Sequence, residues 1–308
     1  MRIFVTGASG WIGSAVVPEL LQAGHQVTGL ARSDASAEAL AEAGADVERG
    51  TIDDLDLLGK AAAAADGVIH LAFKHDIAFT GDFEGAATAD RTAIDTFGDA
   101  LAGSGKPFTI ASGTLMVALP GQVATERDGL QSGAAAGHGA GPSMRAENAL
   151  ATLALADRGV RSSVLRLPPT VHGDGDNGFM AALVGMARAA GNAAYVGDGA
   201  NRWPAVHRLD AASLFRLAVE QAPARSVLHA VADEGVALRD IAEVFSRHLN
   251  VPLVSVTPEQ APERFGFLAG FIGLDSPASS TITRELVGWQ PTHPGLLEDL
   301  DQGHYFRS

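Results

Sequence analysis

The stretch MRIFVTGASGWIGSAVVPELLQAG, Met1 to Gly24, decides the fold. Arg2 to Thr6 is a short β-branched and aromatic run. The apolar residues after it, Trp11, Ile12, Val16, Val17, Leu20 and Leu21, recur at helical spacing, so the order is strand, turn, helix. Gly7, Gly10 and Gly13 punctuate the turn as G-x-x-G-x-x-G. Small residues there let a pyrophosphate approach the backbone, with its charge at the positive end of the following helix. Gly7, Gly10, Trp11, Ile12 and Gly13 are therefore the expected dinucleotide-binding residues of this turn.

Working outward, HQVTGLARSD predicts a second strand. At its end, where an acidic residue would select the free ribose hydroxyl of NAD, stand Ala31, Arg32 and Ser33. A guanidinium beside a hydroxyl suits a 2′-phosphate, so Arg32 and Ser33 point to NADP(H). ADVERGTIDD and DGVIHLAF supply the third and fourth strands. Ile52 and Asp53 are expected near the adenine, and Leu71, Ala72 and Phe73 beside the ribose and pyrophosphate. A helix from about Glu84 to Gly103 leads to a fifth strand in KPFTIASGTLM, ending at Ser112. Strands alternating with helices predict an α/β fold with a Rossmann-type doubly wound parallel sheet.

Composition narrows the function classes. The chain has 308 residues, 46 % of them hydrophobic, with a formal net charge of -14. That acidity disfavours nucleic-acid phosphates and anionic membranes as partners and favours a small-molecule substrate. Without cysteine there is no disulfide and no thiolate metal site, and no metal site is expected. No apolar run approaches the roughly 20 residues of a membrane span, and the first residues enter a strand without the features of a signal peptide. A cytoplasmic location is the expectation.

With TGASGWIG, VIHLA, TIASGT and RLPPTVHG in that order, the sequence resembles the extended or atypical short-chain dehydrogenase/reductases, the group of NAD(P)-dependent epimerase/dehydratase proteins. The resemblance implies a Ser or Thr after the fifth strand that orients the substrate oxygen. It also implies a Tyr roughly 25–30 residues later as proton donor, and about four residues on a Lys that contacts the nicotinamide ribose and lowers the Tyr pKa. Ser112 matches the first position. The other two have no match, because the only tyrosines are Tyr195 and Tyr305 and the only lysines Lys60, Lys74 and Lys106. The expected Tyr slot falls between about His138 and Ser143, in AAAGHGAGPSMRAE, which reads as a glycine-alanine approach to a helix starting near Ser143 as N-cap.

Several groups could replace the pair. His138 titrates near neutrality without a lysine to tune it. His75, with Asp76 and Lys74 beside it, follows the fourth strand at the end of the sheet where the nicotinamide belongs. Ser112 and Thr114 can hydrogen-bond a carbonyl oxygen, Arg145 can take over the ribose contact or lie in solvent, and Pro168 belongs to the cofactor edge of RLPP.

Residues 1–168, rejoined by 204–232, form the expected cofactor domain, and 169–203 with 233–308 a smaller substrate subdomain. There His172, Tyr195, Trp203 and His207 are candidate pocket residues, and FGFLAGFIGLDSPASS is apolar enough to cap a small, mostly apolar substrate. The reading is an NADP(H)-dependent oxidoreductase acting on a carbonyl or alcohol with a non-standard proton donor. A non-catalytic NADP(H) redox sensor and a sugar-nucleotide epimerase or dehydratase stand as alternatives. The resemblance further implies a homodimer through the helices Glu84 to Gly103 and Arg145 to Arg158.

Overall fold

The computed structural model describes residues 1–78, 80–119, 121–131 and 140–307, the side chains of 140–142 excepted. β1 (Arg2–Thr6) turns into α1 (Gly13–Gln22), followed by β2 (Gln26–Ala31), α2 (Asp34–Glu42), β3 (Asp46–Arg49), α3 (Leu55–Ala64) and β4 (Gly67–His70). The one-turn α4 (His75–Ala78) and the long α5 (Phe83–Leu101) precede β5 (Pro107–Gly113), α6 (Ala140–Ala154) and β6 (Arg161–Leu167). The chain then crosses to β7 (Thr170–His172), α7 (Phe179–Ala190), β8 (Ala193–Val196) and β9 (Arg202–His207). It returns through α8 (Arg208–Gln221) and β10 (Ser226–His229) before β11 (Asp233–Ala237), α9 (Leu238–Leu249) and β12 (Leu253–Val256). Four short helices close it: α10 (Ala261–Phe265), α11 (Ala269–Ile272), α12 (Thr281–Val287) and α13 (Leu296–Asp301).

Seven strands form one sheet in the order β10-β6-β5-β4-β1-β2-β3, and its paired neighbours run parallel. The strand order reverses between β1 and β4, which opens a crevice at their carboxyl ends. Strand alternation builds the two faces. Ile3 and Val5 pack against Val16, Val17 and Leu20 of α1 and Phe215 of α8, whereas Phe4 faces Leu58 of α3, Phe97 of α5 and Leu153 of α6. Both faces being covered, the strands read as continuous apolar runs.

A third core gathers Met180 and Leu183 of α7, Trp203 of β9, Ile241 and Phe245 of α9 and Phe265 of α10 around the small sheets β11-β9-β7 and β12-β8. Val287 and Trp289 return to the large sheet, where Trp289 Nε1 donates to the Asp210 carbonyl at 3.0 Å. The crossing after β7 is pinned from the far end of the chain: His172 Nδ1 lies 2.9 Å from Asp299 Oδ2, and Tyr305 Oη accepts from Gly173 N and donates to Asp176 Oδ2.

Two expectations need correction here. α6 begins at Ala140, three residues before the expected N-cap Ser143. Pro142 falls in its first turn, where the missing N–H removes no intrahelical bond. His172 and Trp203 are fully buried, so neither offers a face to a substrate; His172 is held by Asp299 and Trp203 sits in the third core.

Candidate functional site

The crevice at the carboxyl ends of β1 and β4 brings the candidate residues together. Gly7 has φ +66°, and a Cβ there would stand 2.7 Å from Ala72 N. A Cβ on Gly13 would meet Gly7 O at 2.1 Å. These two glycines are required by the chain's own packing. Gly10 differs: it is exposed, and a Cβ there would touch only Gly7 O, at 3.2 Å. Its missing side chain leaves open the approach to the amino end of α1, so the turn fits a pyrophosphate. Trp11 extends from the turn to the crossing, with Nε1 donating to Val171 O at 3.0 Å and the Arg208 guanidinium 4.3 Å above its ring. Ile12 packs against the core of the large sheet.

The residues expected near the adenosine lie at the ends of β2 and β3. Arg32 is 72 % exposed, with a 3.4 Å contact to Asp76 as its one ion pair among the described residues. Ser33 caps α2 by accepting from Ser36 N, and Arg49 donates to the Ser33 carbonyl and pairs with Asp34. Two guanidiniums therefore flank Ser33. Ile52 is buried, and Asp53 is held by both oxygens on Lys74 Nζ, at 2.8 and 2.7 Å.

At the end of β4, Leu71 N donates to Thr6 O and Ala72 N to Thr6 Oγ1, which fixes the exit of β4 against β1. Phe73 follows, with the Phe83 ring 5.5 Å and the His75 ring 5.0 Å away. Arg145 of α6 lies over the same Phe73 ring at 4.0 Å. It is not a solvated helix residue: its Nε is buried with no hydrogen-bond partner, and its one hydrogen bond among the described residues is a 3.5 Å contact to Ala111 O. Burial pushes the guanidinium pKa down, against the opposing pull of Asp90. An Arg with five donors and one long bond is a site with unused capacity. Ser112, one residue before the end of β5, is buried, and Thr114 is buried with Oγ1 unpartnered among the described residues. Pro168 is buried just after β6.

His75 is exposed and starts the one-turn α4, yet its imidazole pKa is lowered, first by desolvation of the ring and then by the Arg145 charge. It is thus neutral at pH 7, the form of a base. His138 lies outside the described residues. A groove of about 680 Å³ between α1 and α8, lined by Ser14, Glu19, Arg208, Arg216 and Trp289, holds none of the candidate catalytic residues. Its Arg216 is already paired with Glu19 and Glu220. The strand ends mark the site better than groove size does.

One buried chain of polar groups beneath the site has no counterpart in the expectations. Thr6 Oγ1 lies 2.6 Å from His70 Nδ1, His70 Nε2 3.2 Å from Asp90 Oδ1, and Asn148 Nδ2 donates to Asp90 Oδ2 and to Ala87 O, both at 2.8 Å. A signal existed in the sequence. Asp90 interrupts the stripe Ala86, Ala87, Ala93, Ile94 and Phe97 on the buried side of α5, and His70 ends a wholly apolar strand. Buried polar residues in such settings need partners.

Comparison with known proteins agrees with this geometry. Residues 3–93 match the model of the NAD dependent epimerase/dehydratase family. An uncharacterized protein of Schizosaccharomyces pombe is 44 % identical over 306 residues, covering 99 % of this chain and 100 % of that one. An uncharacterized protein of Saccharomyces cerevisiae is 44 % identical over 302 residues, covering 97 % and 98 %. Among solved structures, the dTDP-glucose 4,6-dehydratase of Streptomyces venezuelae with NAD bound superposes with a TM-score of 0.77 at 19 % identity, covering 98 % of this chain and 96 % of that one. The chain belongs to the NAD dependent epimerase/dehydratase family, within the extended short-chain dehydrogenase/reductase class. A nicotinamide dinucleotide is the cofactor of this class. Among the described residues no helix is long and apolar enough to cross a membrane, and no cluster of three metal-ligating side chains occurs.

Proposed function

We propose that this protein is an NADP(H)-dependent oxidoreductase that interconverts a small, mostly apolar carbonyl compound and its alcohol. The observation that carries the reading is Arg145, a half-buried cation with its Nε enclosed and donors unused among the described residues, stacked on Phe73 beside the end of β5 at Ser112 and Thr114. In place of the missing Lys it would hold the nicotinamide ribose, using the bidentate geometry of a guanidinium. When bound, the nicotinamide supplies the redox chemistry, and the protein has to orient and polarise the substrate. Ser112 and Thr114 hydrogen-bond the reacting oxygen. His75, neutral at pH 7, takes the proton in alcohol oxidation and in reduction returns it from its minor protonated form; His138 or a water is the competing proton carrier.

The choice of NADP(H) rests on the absence of a carboxylate at the end of β2 and on Arg32 and Arg49 flanking Ser33. Support for an apolar substrate comes from Leu119, Val123 and Leu130, exposed on the segment after Thr114, and from the ring cluster of Phe179, Phe267 and Phe271. The test follows NADPH absorbance with a panel of aldehydes, ketones and enones, using the wild type, Ser112→Ala and His75→Ala. Oxidation by at least one carbonyl compound, reduced roughly 100-fold in Ser112→Ala, is expected. Tight NADPH binding without turnover of any substrate would instead support the redox-sensor reading, which the lack of the Tyr and Lys favours.

A further inference from the structure

The proposed role of Arg145 raises the question of what keeps a guanidinium in a site where it makes one long hydrogen bond. We propose that Asp90 is the positioning residue for Arg145, and that one buried carboxylate sets both the cation and the aromatic platform beneath it. This inference rests on the reading of Arg145 as a cofactor-binding group.

A continuous chain of polar contacts runs to Asp90. Ala72 N–H donates to Thr6 Oγ1 at 3.3 Å, so that oxygen accepts from the backbone. The same oxygen lies 2.6 Å from His70 Nδ1, and His70 Nε2 lies 3.2 Å from Asp90 Oδ1. Asn148 Nδ2 donates to the other carboxylate oxygen. Although burial opposes it, these contacts and the Arg145 charge hold the Asp90 carboxyl below its usual pKa. Hydrogen-bond donors lower the cost of burying a carboxylate but do not cancel its charge.

Arg145 adds a cation to the His70 ring and the Asn148 amide that face the carboxylate. Residues 145 and 148 lie one turn apart on α6 and so share a face, which places Asn148 on the carboxylate and the Arg145 guanidinium within its field. No direct ion pair forms, so the guanidinium keeps its donors for another partner. The opposite end of the same chain is Ala72, the residue before Phe73, on whose ring Arg145 rests. Asp90 thus ties to one point the strand end that carries the platform and the helix that carries the cation.

The experiment is a double-mutant cycle on NADPH affinity, measured by fluorescence quenching with the full chain: wild type, Asp90→Asn, Arg145→Met and the pair, with Arg145→Lys in both backgrounds. Each single change is expected to weaken binding about tenfold. The double variant should also lose about tenfold, not about a hundredfold, because removing either charge removes the same interaction. Arg145→Lys should stay within about threefold of wild type when Asp90 is present and lose about tenfold when it is not. Guanidinium chloride unfolding of the same set without cofactor should show the same non-additivity. Additive losses, or Asp90→Asn binding NADPH as wild type does, would overturn the assignment of Asp90 alone. A wild type that binds no NADPH would overturn the cofactor reading, and this inference with it.

Discussion

Substituting the fingerprint glycines one at a time should separate the residues that the chain needs for itself from the one that it keeps for the ligand. In Gly7→Ala the new Cβ must enter a left-handed conformation, φ +66°, and stand 2.7 Å from the Ala72 nitrogen, a backbone atom that cannot swing aside. The conformation costs about 1 kcal/mol and the overpacking roughly 1–3, so Gly7→Ala should lose about 2–4 kcal/mol. In a chain of this size that lowers Tm by roughly 3–6 °C. Gly10→Ala places its Cβ 3.2 Å from Gly7 O at an exposed position with φ outside the left-handed region, which a shift of a few tenths of an ångström relieves. Its stability cost should stay below about 0.5 kcal/mol, as for an ordinary surface substitution. NADPH affinity should nevertheless fall at least about tenfold, equivalent to about 1.4 kcal/mol, since the methyl group occupies the pyrophosphate's approach. Thermal melts of the free proteins and NADPH fluorescence titrations measure the two effects. Equal melting losses, or a Gly10→Ala protein that binds NADPH normally, would refute the division of roles.

Two further outcomes follow from the charges at the ends of the crevice. Arg32→Ala should weaken NADPH about tenfold while leaving NADH within about twofold, since one charged hydrogen bond to a phosphate is worth about 1.5–3 kcal/mol; equal losses in parallel titrations would place the 2′-phosphate elsewhere. His75 has its pKa lowered from 6.5, so its neutral, basic form is retained through pH 7 and gives way to the protonated form only as pH falls below that ordinary value. The kcat/KM of alcohol oxidation should therefore be flat above about pH 6.5 and decline below it, a limb that His75→Ala removes. A pH profile identical in the variant would exclude His75 as the base.

The parallel sheet was legible because its evidence is local. β1, the glycine turn and α1 lie within twenty-two residues, and β2 and β4 are largely apolar runs that precede further helices. Arg145 was legible only as a pair of alternatives, because α6 is weakly patterned and its first turn is glycine and proline; burial against Phe73 decides between them. Arg49 passed unnoticed since an Arg on an edge strand reads as solvated, and only the approach of β3 to the start of α2 puts it beside Ser33. The Thr6, His70, Asp90 and Asn148 chain was missed for another reason. Its members lie 64, 20 and 58 residues apart, and sequence periodicity carries no information on which polar interruptions meet.

The bond between His172 and Asp299 has a consequence for the order in which the molecule can be made. The two residues are 127 positions apart, and Tyr305 reaches back over a comparable distance to Gly173 and Asp176. During synthesis the large sheet through β6 can assemble while its successors are still being translated, since domains fold as units from the amino end. The crossing at 172–178, however, has to wait with its imidazole unpaired until Asp299 and Tyr305 have been translated. The crossing is thus among the first segments of its half to be synthesised and the last to be secured, which makes it the step at which a nascent chain is most open to chaperones and proteases.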